Sequence, residues 1–377
     1  MDFNLTSERQ MLQDTLRRYL GDRYTTELRN RIVESDEGMS EEIWRELADL
    51  GIVGALFTEE QGGFGGLGFD IATVFEELGR AGVVEPFLDT AVLAGGLVAD
   101  LGSETQRQLL ERLVGGEAHL AWAHGEPASR YDLSHVETTA KAGAQGIELN
   151  GRKSVVVNAE AAEALVVTAR EGGDPGDPAG LSLFLVPTDS EGIVLRGYPL
   201  MGGARAAEVE LERVCVPASA RLGPAGEAFP AIERRVAMAN VALSAETLGA
   251  METAKSLTIA YLETRKQFGR PIGTFQALQH RLADLVIELE QARSAVILAA
   301  GHMADERCSR ERHVSAAKNL IGRVGRLVAE ESIQLHGGIA LSQEYELAHL
   351  AKRIVMLDHR LGDTDHHLER FIAFSHG

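Results

Sequence analysis

The sequence predicts an α+β multidomain chain: an N-terminal helical domain over 1–118, a middle β-barrel or sandwich domain over 119–225, and a C-terminal helical bundle over 226–377. Three observations carry this. The apolar period is 3.6 residues up to about 118, becomes 2 through the middle zone, and returns to 3.6 in longer stretches from about 226. At 377 residues the chain has room for two or three domains. Its 45% apolar and 25% charged residues are the balance of a globular protein rather than a disordered one.

In the first zone, Ser7 and Gln10 fit a capping box ahead of the amphipathic stretch Met11–Leu20. Ser40 stands where an N-cap would open EEIWRELADL, and Gly51 stands where that helix would stop. Helical segments are also expected at Ile71–Leu78 and Ser103–Leu113. In the middle zone, Ile147 and Leu149 alternate with polar neighbours and lead into Asn150-Gly151, a two-residue hairpin signal. Val155–Val157, Leu165–Val167 and Leu183–Val186 are short β-rich runs, and Val209 and Leu211 alternate with Glu208, Glu210 and Glu212. The Gly/Asp/Pro-rich stretch Glu171–Gly180 reads as a loop. In the last zone, Leu282, Leu285, Val286, Leu289, Ala292, Val296 and Ala299 mark one buried helix face. Long helices joined by short turns make a bundle.

Composition excludes several classes. With 37 Lys+Arg against 56 Asp+Glu, the net charge of −19 gives no general attraction to nucleic acid or anionic lipid. Two cysteines, Cys215 and Cys308, make neither a disulfide framework nor a zinc site. The opening MDFNLTSERQ is too polar for a signal peptide, and no apolar run reaches the ~20 residues of a membrane span. A cytoplasmic bacterial enzyme is the expectation. Gly63-Phe-Gly65-Gly-Leu-Gly68 matches the dinucleotide pattern, but its flanks are helical and no strand precedes it, so it reads as a flexible turn. His359, His366 and His367 gather beside Asp363 and Asp365 without metal-site spacing; neighbouring helical histidines point about 100° apart, which favours hydrogen bonding over chelation. Hydrolase elbows and P-loops are missing.

Four segments point elsewhere: Ala121-Trp-Ala-His-Gly-Glu-Pro127, Arg265-Lys-Gln-Phe-Gly-Arg-Pro-Ile-Gly273, Gln334-Leu-His-Gly-Gly338 and Gly362-Asp-Thr-Asp365. Phe275-Gln276 and the H-R-x-A-D of 280–284 follow the second. Their order resembles the acyl-CoA dehydrogenase family across essentially the whole chain. The start of the β domain and the ending GDTDHHL are most similar to the bacterial subgroup with the pimeloyl-CoA dehydrogenase small subunit. The resemblance implies a C-terminal four-helix bundle around FAD. Arg265 at a helix end would offer the pyrophosphate a planar cationic fork, or serve as a surface salt-bridge arginine. Gln267 and Phe268 would meet the adenosine half, and Gln276 the FAD of a neighbouring subunit. Gln334, Gly337 and Gly338 would meet the pyrophosphate of an adjacent subunit, the glycines removing an obstructing Cβ; a helix C-cap is the plainer role, and both can hold. Trp122, Ala123, His124 and Gly125 align with the strand beside the flavin ring, and Val157 and Asp365 with further FAD positions. Ser129, Asn240 and Leu243 fall at substrate positions, and Phe87–Leu93 at the pocket wall.

Two departures stand out. A-S-R-Y-D around Ser129 replaces the usual G-x-G-S-D, and Val155-Val156-Val157-Asn158 replaces W-I-[ST]-N, removing an aromatic wall and a hydroxyl beside the flavin. The resemblance places Asp363 at the family's catalytic glutamate, the base that removes the α-proton while the β-hydrogen leaves as hydride. An alternative base position falls near Ala239, which cannot serve; Glu246 lies seven residues on, as a second candidate or a packed, salt-bridged helix residue. Asp363 is one methylene short, a shift of roughly 1.5 Å, and misplacements of that size can cost ~10²-fold in rate. The implied function is FAD-dependent α,β-dehydrogenation of an acyl-CoA, with an electron-transferring flavoprotein as acceptor, in a homotetramer or a heterotetramer with a paralogous subunit. The alternatives are a non-catalytic or weakly active subunit completing a partner's FAD or CoA site, and an oxidase that passes electrons to oxygen.

Overall fold

The computed structural model describes residues 5–143 and 146–376. The chain divides into two compact units that interleave in sequence: one takes Met1–Arg31, Leu67–Val83 and Asn240–Gly377, the other Ile32–Gly66 and Val84–Ala239. The first unit is helical. It holds α1 (Ser7–Arg23), most of α2 (Thr26–Glu34), α4 (Gly68–Ala81), the C-terminal part of α7 (Phe229–Thr264), α8 (Gln276–Gly301), α9 (Arg307–His336), α10 (Glu346–Asp358) and α11 (Thr364–Ala373). The second holds α3 (Glu41–Asp49), a π-helical segment (Leu88–Gly95), α5 (Gly96–Leu101), α6 (Glu104–Val114) and an eight-stranded sheet. Among the described residues no helix is long and apolar enough to cross a membrane.

Local chemistry explains the helix starts. Ser40 Oγ accepts the Ile43 N–H at 3.3 Å and opens α3, while Ser103 and Gln106 form a reciprocal capping box on α6. Helix α1 begins one residue earlier than Ser7 suggested: Thr6 has extended backbone and its Oγ1 accepts the Arg9 N–H, while Ser7 is already helical. Helix α8 buries Leu285, Leu289, Ala292, Val296 and Ala299, the face its apolar period marked. Helices α4 and α7 cross at glycines. A Cβ on Gly79 would stand 1.9 Å from the Glu246 carbonyl oxygen, and one on Gly249 equally close to that of Glu76.

The middle strands are β1 (Leu120–Ala123), β2 (Thr139–Gly143), β3 (Gly146–Val157), β4 (Ala164–Arg170), β5 (Leu181–Pro187), β6 (Ile193–Pro199), β7 (Arg205–Val216) and β8 (Arg221–Leu222). They run in the order β6-β7-β3-β2-β4-β5-β8, with β1 parallel to β4 beside this path. This corrects the barrel or sandwich expectation: the sheet is single and open, because edge strands β6 and β8 do not pair and two-residue β8 is too short to close a ring. Strand β4 is buried at every residue and β5 at nearly every one, which hides the alternation an exposed sheet face would show.

Asn150-Gly151 is not a hairpin turn either. The two residues lie inside β3 at a bulge between Leu149 and Gly151, and β2 meets β3 with Gly143 opposite Gly146. Asn150 Oδ1 accepts the Arg213 N–H across the bulge, and a Cβ on Gly151 would stand 2.7 Å from Thr138 Cα. The loop after β4 is wound around Arg170, whose buried guanidinium donates to the carbonyls of Ser134, Val136, Gly172, Pro175, Asp177 and Ala179.

The glycine run at 63–68 is a packed turn rather than a flexible one. The Phe64, Gly65 and Gly66 N–H groups donate to the carbonyls of Gly54, Phe57 and Ala55 at 2.8–3.0 Å. Cβ atoms on Gly63 and Gly65 would meet backbone oxygens at 2.2–2.3 Å. Amides already committed to carbonyls are not available to a phosphate.

Candidate functional site

In the sheet unit the candidate residues cluster at the end of β1. Ala123 is buried in the core, and Trp122 stacks on His124 with ring centroids 4.4 Å apart. His124 Nδ1 is hydrogen-bonded to Thr168 Oγ1 at 3.0 Å. Burial, then the nearby Lys153 ammonium, push its pKa down to about 3, so the ring is neutral. Trp122 Nε1 and His124 Nε2 are both buried without a hydrogen-bond partner among the described residues. Ser129 is buried and its hydroxyl closes a local turn, accepting from the Glu126 N–H and donating to the Glu126 carbonyl. Val157 is buried in β3 opposite Ala206.

Beneath β1 lies a network that the sequence reading missed. Lys153 is fully buried, and its Nζ donates to Glu126 Oε1 at 2.6 Å and to the His124 carbonyl at 3.1 Å. The Glu126 carboxylate also accepts the Glu137 N–H, the Thr138 N–H and the Thr138 hydroxyl. Burial pushes the Lys153 pKa down to about 8 against the pull of Glu126. Burial pushes Glu126 up, but Lys153, Thr138 and Glu137 together hold it below the usual carboxylate range. Two residues on from Lys153, the β-branched, half-exposed Val155 sits in the left-handed region at φ +55°, at the bulge between Lys153 and Val156, where Glu208 accepts its N–H.

The pocket-wall segment Phe87–Leu93 falls on the π-helix, with Leu88–Gly95 all buried. Phe87 stacks on Trp44 at 4.5 Å, Thr90 donates to the Leu120 carbonyl at 2.9 Å, and Asn158 donates to the Thr90 hydroxyl at 3.3 Å. Periodicity could not show this wide helix; π-turns concentrate at functional sites.

In the helical unit, Arg265, Gln267 and Phe268 form one exposed hairpin in which β9 (Lys266–Gln267) pairs with β10 (Arg270–Pro271). Phe268 is 91% exposed and left-handed at φ +53°, followed by Gly269 at φ +77°. A strained, fully exposed phenylalanine is stabilised by little in its own chain. Gln276 is the exposed first residue of α8. At the end of α9, Gln334 and both glycines are exposed; Gly337 has φ +70°, and a Cβ on either glycine would meet nothing within 4 Å. Here the C-cap and the open approach coincide. The adjacent His336 stacks on Tyr261 and is hydrogen-bonded to Tyr345 Oη at 3.2 Å.

Asn240 and Leu243 are buried on α7, and Asn240 Oδ1 has no hydrogen-bond partner among the described residues. Glu246, on the same helix, is ion-paired with Arg353, whose Nε donates at 2.7 Å; this is the packed, salt-bridged role. Asp363 is half-buried and caps α11, its Oδ1 accepting the His366 N–H at 2.9 Å; Asp365 is exposed in the first turn. Behind Asp363 a second buried lysine, Lys318, donates to the carbonyls of Leu357, Asp358 and Gly362 at 3.2, 2.8 and 3.0 Å. Burial lowers its pKa to about 8, opposed by Asp358 and Asp363. His367, buried and kept neutral by burial and then by Lys318, donates Nε2–H to the Leu361 carbonyl at 3.1 Å. The rings of His366 and His367 are nearly perpendicular.

In the sheet unit the end of β1 carries orphaned ring nitrogens; in the helical unit a strained aromatic hairpin is exposed and two unobstructed glycines close a long helix. Comparison with known proteins gives the family. Its N-terminal, middle and C-terminal domain profiles, each described as an acyl-CoA dehydrogenase domain, match residues 6–117, 121–214 and 226–373. The chain belongs to the acyl-CoA dehydrogenase family, whose members are oxidoreductases acting on the CH–CH bond of acyl-CoA. It is 29% identical to the probable acyl-CoA dehydrogenase YngJ of Bacillus subtilis, covering 99% of this chain and 98% of that one. It is also 29% identical to the caffeyl-CoA reductase-Etf complex subunit CarC of Acetobacterium woodii, over 91% of each chain. Solved structures align throughout. The Tcur3481-Tcur3483 steroid acyl-CoA dehydrogenase gives 30% identity and a TM-score of 0.87 over 98% of both chains. The ChsE4-ChsE5 complex of Mycobacterium tuberculosis gives 26% and 0.88, over 99% of this chain and 98% of that one. The FAD complex of PigA gives 25% and 0.91 over the same shares. These matches carry the family and do not single out the pimeloyl-CoA subgroup.

Proposed function

We propose that the protein is an FAD-dependent acyl-CoA dehydrogenase that uses Asp363 as its base and passes electrons to an electron-transferring flavoprotein. The observation that carries this reading is the left-handed, 91%-exposed Phe268, set with Arg265 and Gln267 in a hairpin within residues 226–373, the stretch that matches the family's C-terminal domain. The residues present fit the cofactor. Two glycines stand open at the end of α9, and ring nitrogens of Trp122 and His124 are buried without partners. Arg265, Gln267, Phe268, Gln276, Gln334, Gly337 and Gly338 would hold FAD between subunits; Trp122, Ala123, Gly125, Val157 and Asp365 would border it. Bound FAD supplies the two-electron acceptor for the β-hydride.

The chain's own residues supply the rest. The Asp363 carboxylate takes the α-proton as the Cα–Cβ double bond forms, and the unpartnered Asn240 Oδ1, with Leu243, orients the acyl portion. Asp363 caps α11 by accepting the His366 N–H on Oδ1, and in this reading the same carboxylate serves as the base. Asn caps a helix as well as Asp does, so Asp363→Asn removes the base and keeps the cap. Single-turnover bleaching of the flavin by a panel of acyl-CoAs tests the reading: Asp363→Asn should abolish bleaching while FAD and CoA are retained. Wild-type rates in that variant would discard the base. Arg265→Ala should weaken FAD retention by ~10–150-fold, the worth of a charged hydrogen bond of about 1.5–3 kcal/mol.

A second reading has its own support. Caps and bases need different things of a carboxylate, Val155–Val157 lack the aromatic wall, and a solved relative is the ChsE4-ChsE5 complex. In that reading the chain is a weakly active or non-catalytic subunit that completes a paralogue's FAD or CoA site. Purification alone and with the paralogue separates the two. Yellow protein that bleaches alone supports the enzyme; flavin and activity only in the complex support the subunit. Peroxide formation would mark an oxidase.

A further inference from the structure

Helix α9 carries a buried polar stripe where its period calls for apolar residues. Glu311, Ser315, Lys318 and Gly322 follow one another at steps of four, three and four, so they share one face. Glu311, Ser315 and Lys318 are each 3% exposed or less, and Gly322 is buried. Every one of them meets the segment around Asp363. Arg370 of α11 donates to Glu311 Oε2 at 2.8 Å, and Ser315 Oγ lies 3.4 Å from His367 Nδ1. Lys318 spends its ammonium on the carbonyls of Leu357, Asp358 and Gly362. A Cβ on Gly322 would overlap Asp358 Oδ1 and Thr364 Oγ1, at 2.0 and 2.4 Å. Next to the lysine, Asn319 Nδ2 donates to the Thr364 carbonyl at 2.9 Å. The residues before and after Asp363 are thus both tied to α9, one by Lys318 and the other by Asn319.

The backbone between these ties is otherwise costly. Leu361 has φ +55° and Gly362 φ +113°, conformations that a free loop would leave. The ammonium satisfies the Asp358 carbonyl at the end of α10 and the Gly362 carbonyl beyond it, and joins the Arg360 N–H on the Leu357 carbonyl, at a helix C-terminus that also favours positive charge. A neutral side chain of the same length would leave the Asp358 and Gly362 carbonyls without this donor.

We propose that Lys318 is a positioning residue for the reaction: by holding the Leu357–Gly362 carbonyls against α9, it sets where the Asp363 carboxylate stands. This rests on the reading of Asp363 as the base. The effect on rate follows from geometry, since a shift of about 1 Å at a base can cost ~10²-fold.

A two-residue cycle on the FAD-loaded protein, with its paralogue where that is needed for flavin, tests both claims separately. Lys318→Met should lower the single-turnover bleaching rate by ~10²-fold while FAD content and the acyl-CoA concentration for half-maximal rate stay as in wild type. Lys318→Gln, which restores two donors, should recover part of it. The double variant with Asp363→Asn should be no slower than Asp363→Asn alone, because a residue acting through the base has nothing left to position. Without any cofactor, amide exchange in 359–367 should quicken in Lys318→Met and stay unchanged in α8. If Lys318→Met cannot be obtained folded, His367→Leu, which frees the Leu361 carbonyl and the long contact to Ser315 Oγ, should show a smaller loss of the same kind. A silent Asp363→Asn would overturn the base and the positioning role together. A dead Asp363→Asn with wild-type bleaching in Lys318→Met, or additive losses in the double variant, would overturn the positioning role alone.

Discussion

Each compact unit buries one lysine, and the two are satisfied by different chemistry. In the sheet unit Lys153 faces the Glu126 carboxylate, which three further donations hold in place. In the helical unit Lys318 faces three backbone carbonyls. Burial lowers both ammonium groups to about the same pKa, near 8, so the difference is in the partner and not in the desolvation. An ion pair joins segments distant in sequence, β3 and the turn after β1. A carbonyl cage captures one local stretch of strained backbone. The first is costly to break because a charge is left behind; the second leaves only dipoles.

That contrast predicts unequal penalties. Lys153→Met should destabilise the sheet unit by ~3–5 kcal/mol, since it strands a buried carboxylate, and adding Glu126→Gln should restore much of the loss. Lys318→Met should cost ~1–3 kcal/mol, the range for unpaired neutral groups. Both tryptophans, Trp44 and Trp122, lie in the sheet unit, so urea unfolding followed by fluorescence reads the first and far-UV circular dichroism the second. Equal penalties would erase the distinction.

Acid sharpens it further, because each lysine has a buried neutral histidine beside it. The folded pKa of His124 lies at about 3, well below the ordinary 6.5, and that of His367 is lowered by burial in the same sense. The folded state therefore binds fewer protons than the unfolded one in this range. Stability from each ring is complete above about pH 6.5 and is lost as pH falls toward 3, at ~1.4 kcal/mol per pH unit. Between pH 6.5 and 5 each should cost ~2 kcal/mol. Melting temperature against pH should flatten in His124→Gln and again in His367→Gln; an unchanged slope in either would show that its ring is not buried neutral. The smallest effect separates the caps. Ser103→Ala should cost ~1 kcal/mol, whereas Asp363→Asn should stay within ~0.5 kcal/mol, because asparagine accepts the same N–H.

What could be read from sequence was local. Ser40 and Ser103 cap helices with their own next turn, and the α8 face repeats within one element. Asn150-Gly151 carried a turn signal whose meaning depends on the neighbouring strand: β7 pairs past it, and the pair becomes a bulge. The open edge of the sheet is likewise a property of strands that fail to meet. The residues proposed for FAD were named from a sequence motif, and the structure adds their exposure and the strain at Phe268. The polar stripe of α9 escaped because lysine and glutamate on a helix read as a wet face; only the packing of α11 reveals that it is dry. Lys153 escaped for the same reason, since its partner is 27 residues away.

The π-helix at Leu88–Gly95 has a consequence for how this wall can change. Its wide turns hold one more residue per loop of hydrogen bonds than an α-helix would, so the phase of the segment depends on a count of residues as well as on their kinds. Removing one residue would let the segment tighten to α and would re-seat the residues inside its wide turns, while the helix on either side keeps its phase. Thr90 would then leave the Leu120 carbonyl and Asn158 would lose its acceptor, though no side chain had been exchanged. A single-codon deletion here would thus rearrange the buried contacts of this one segment and leave the rest of the sheet unit in its place.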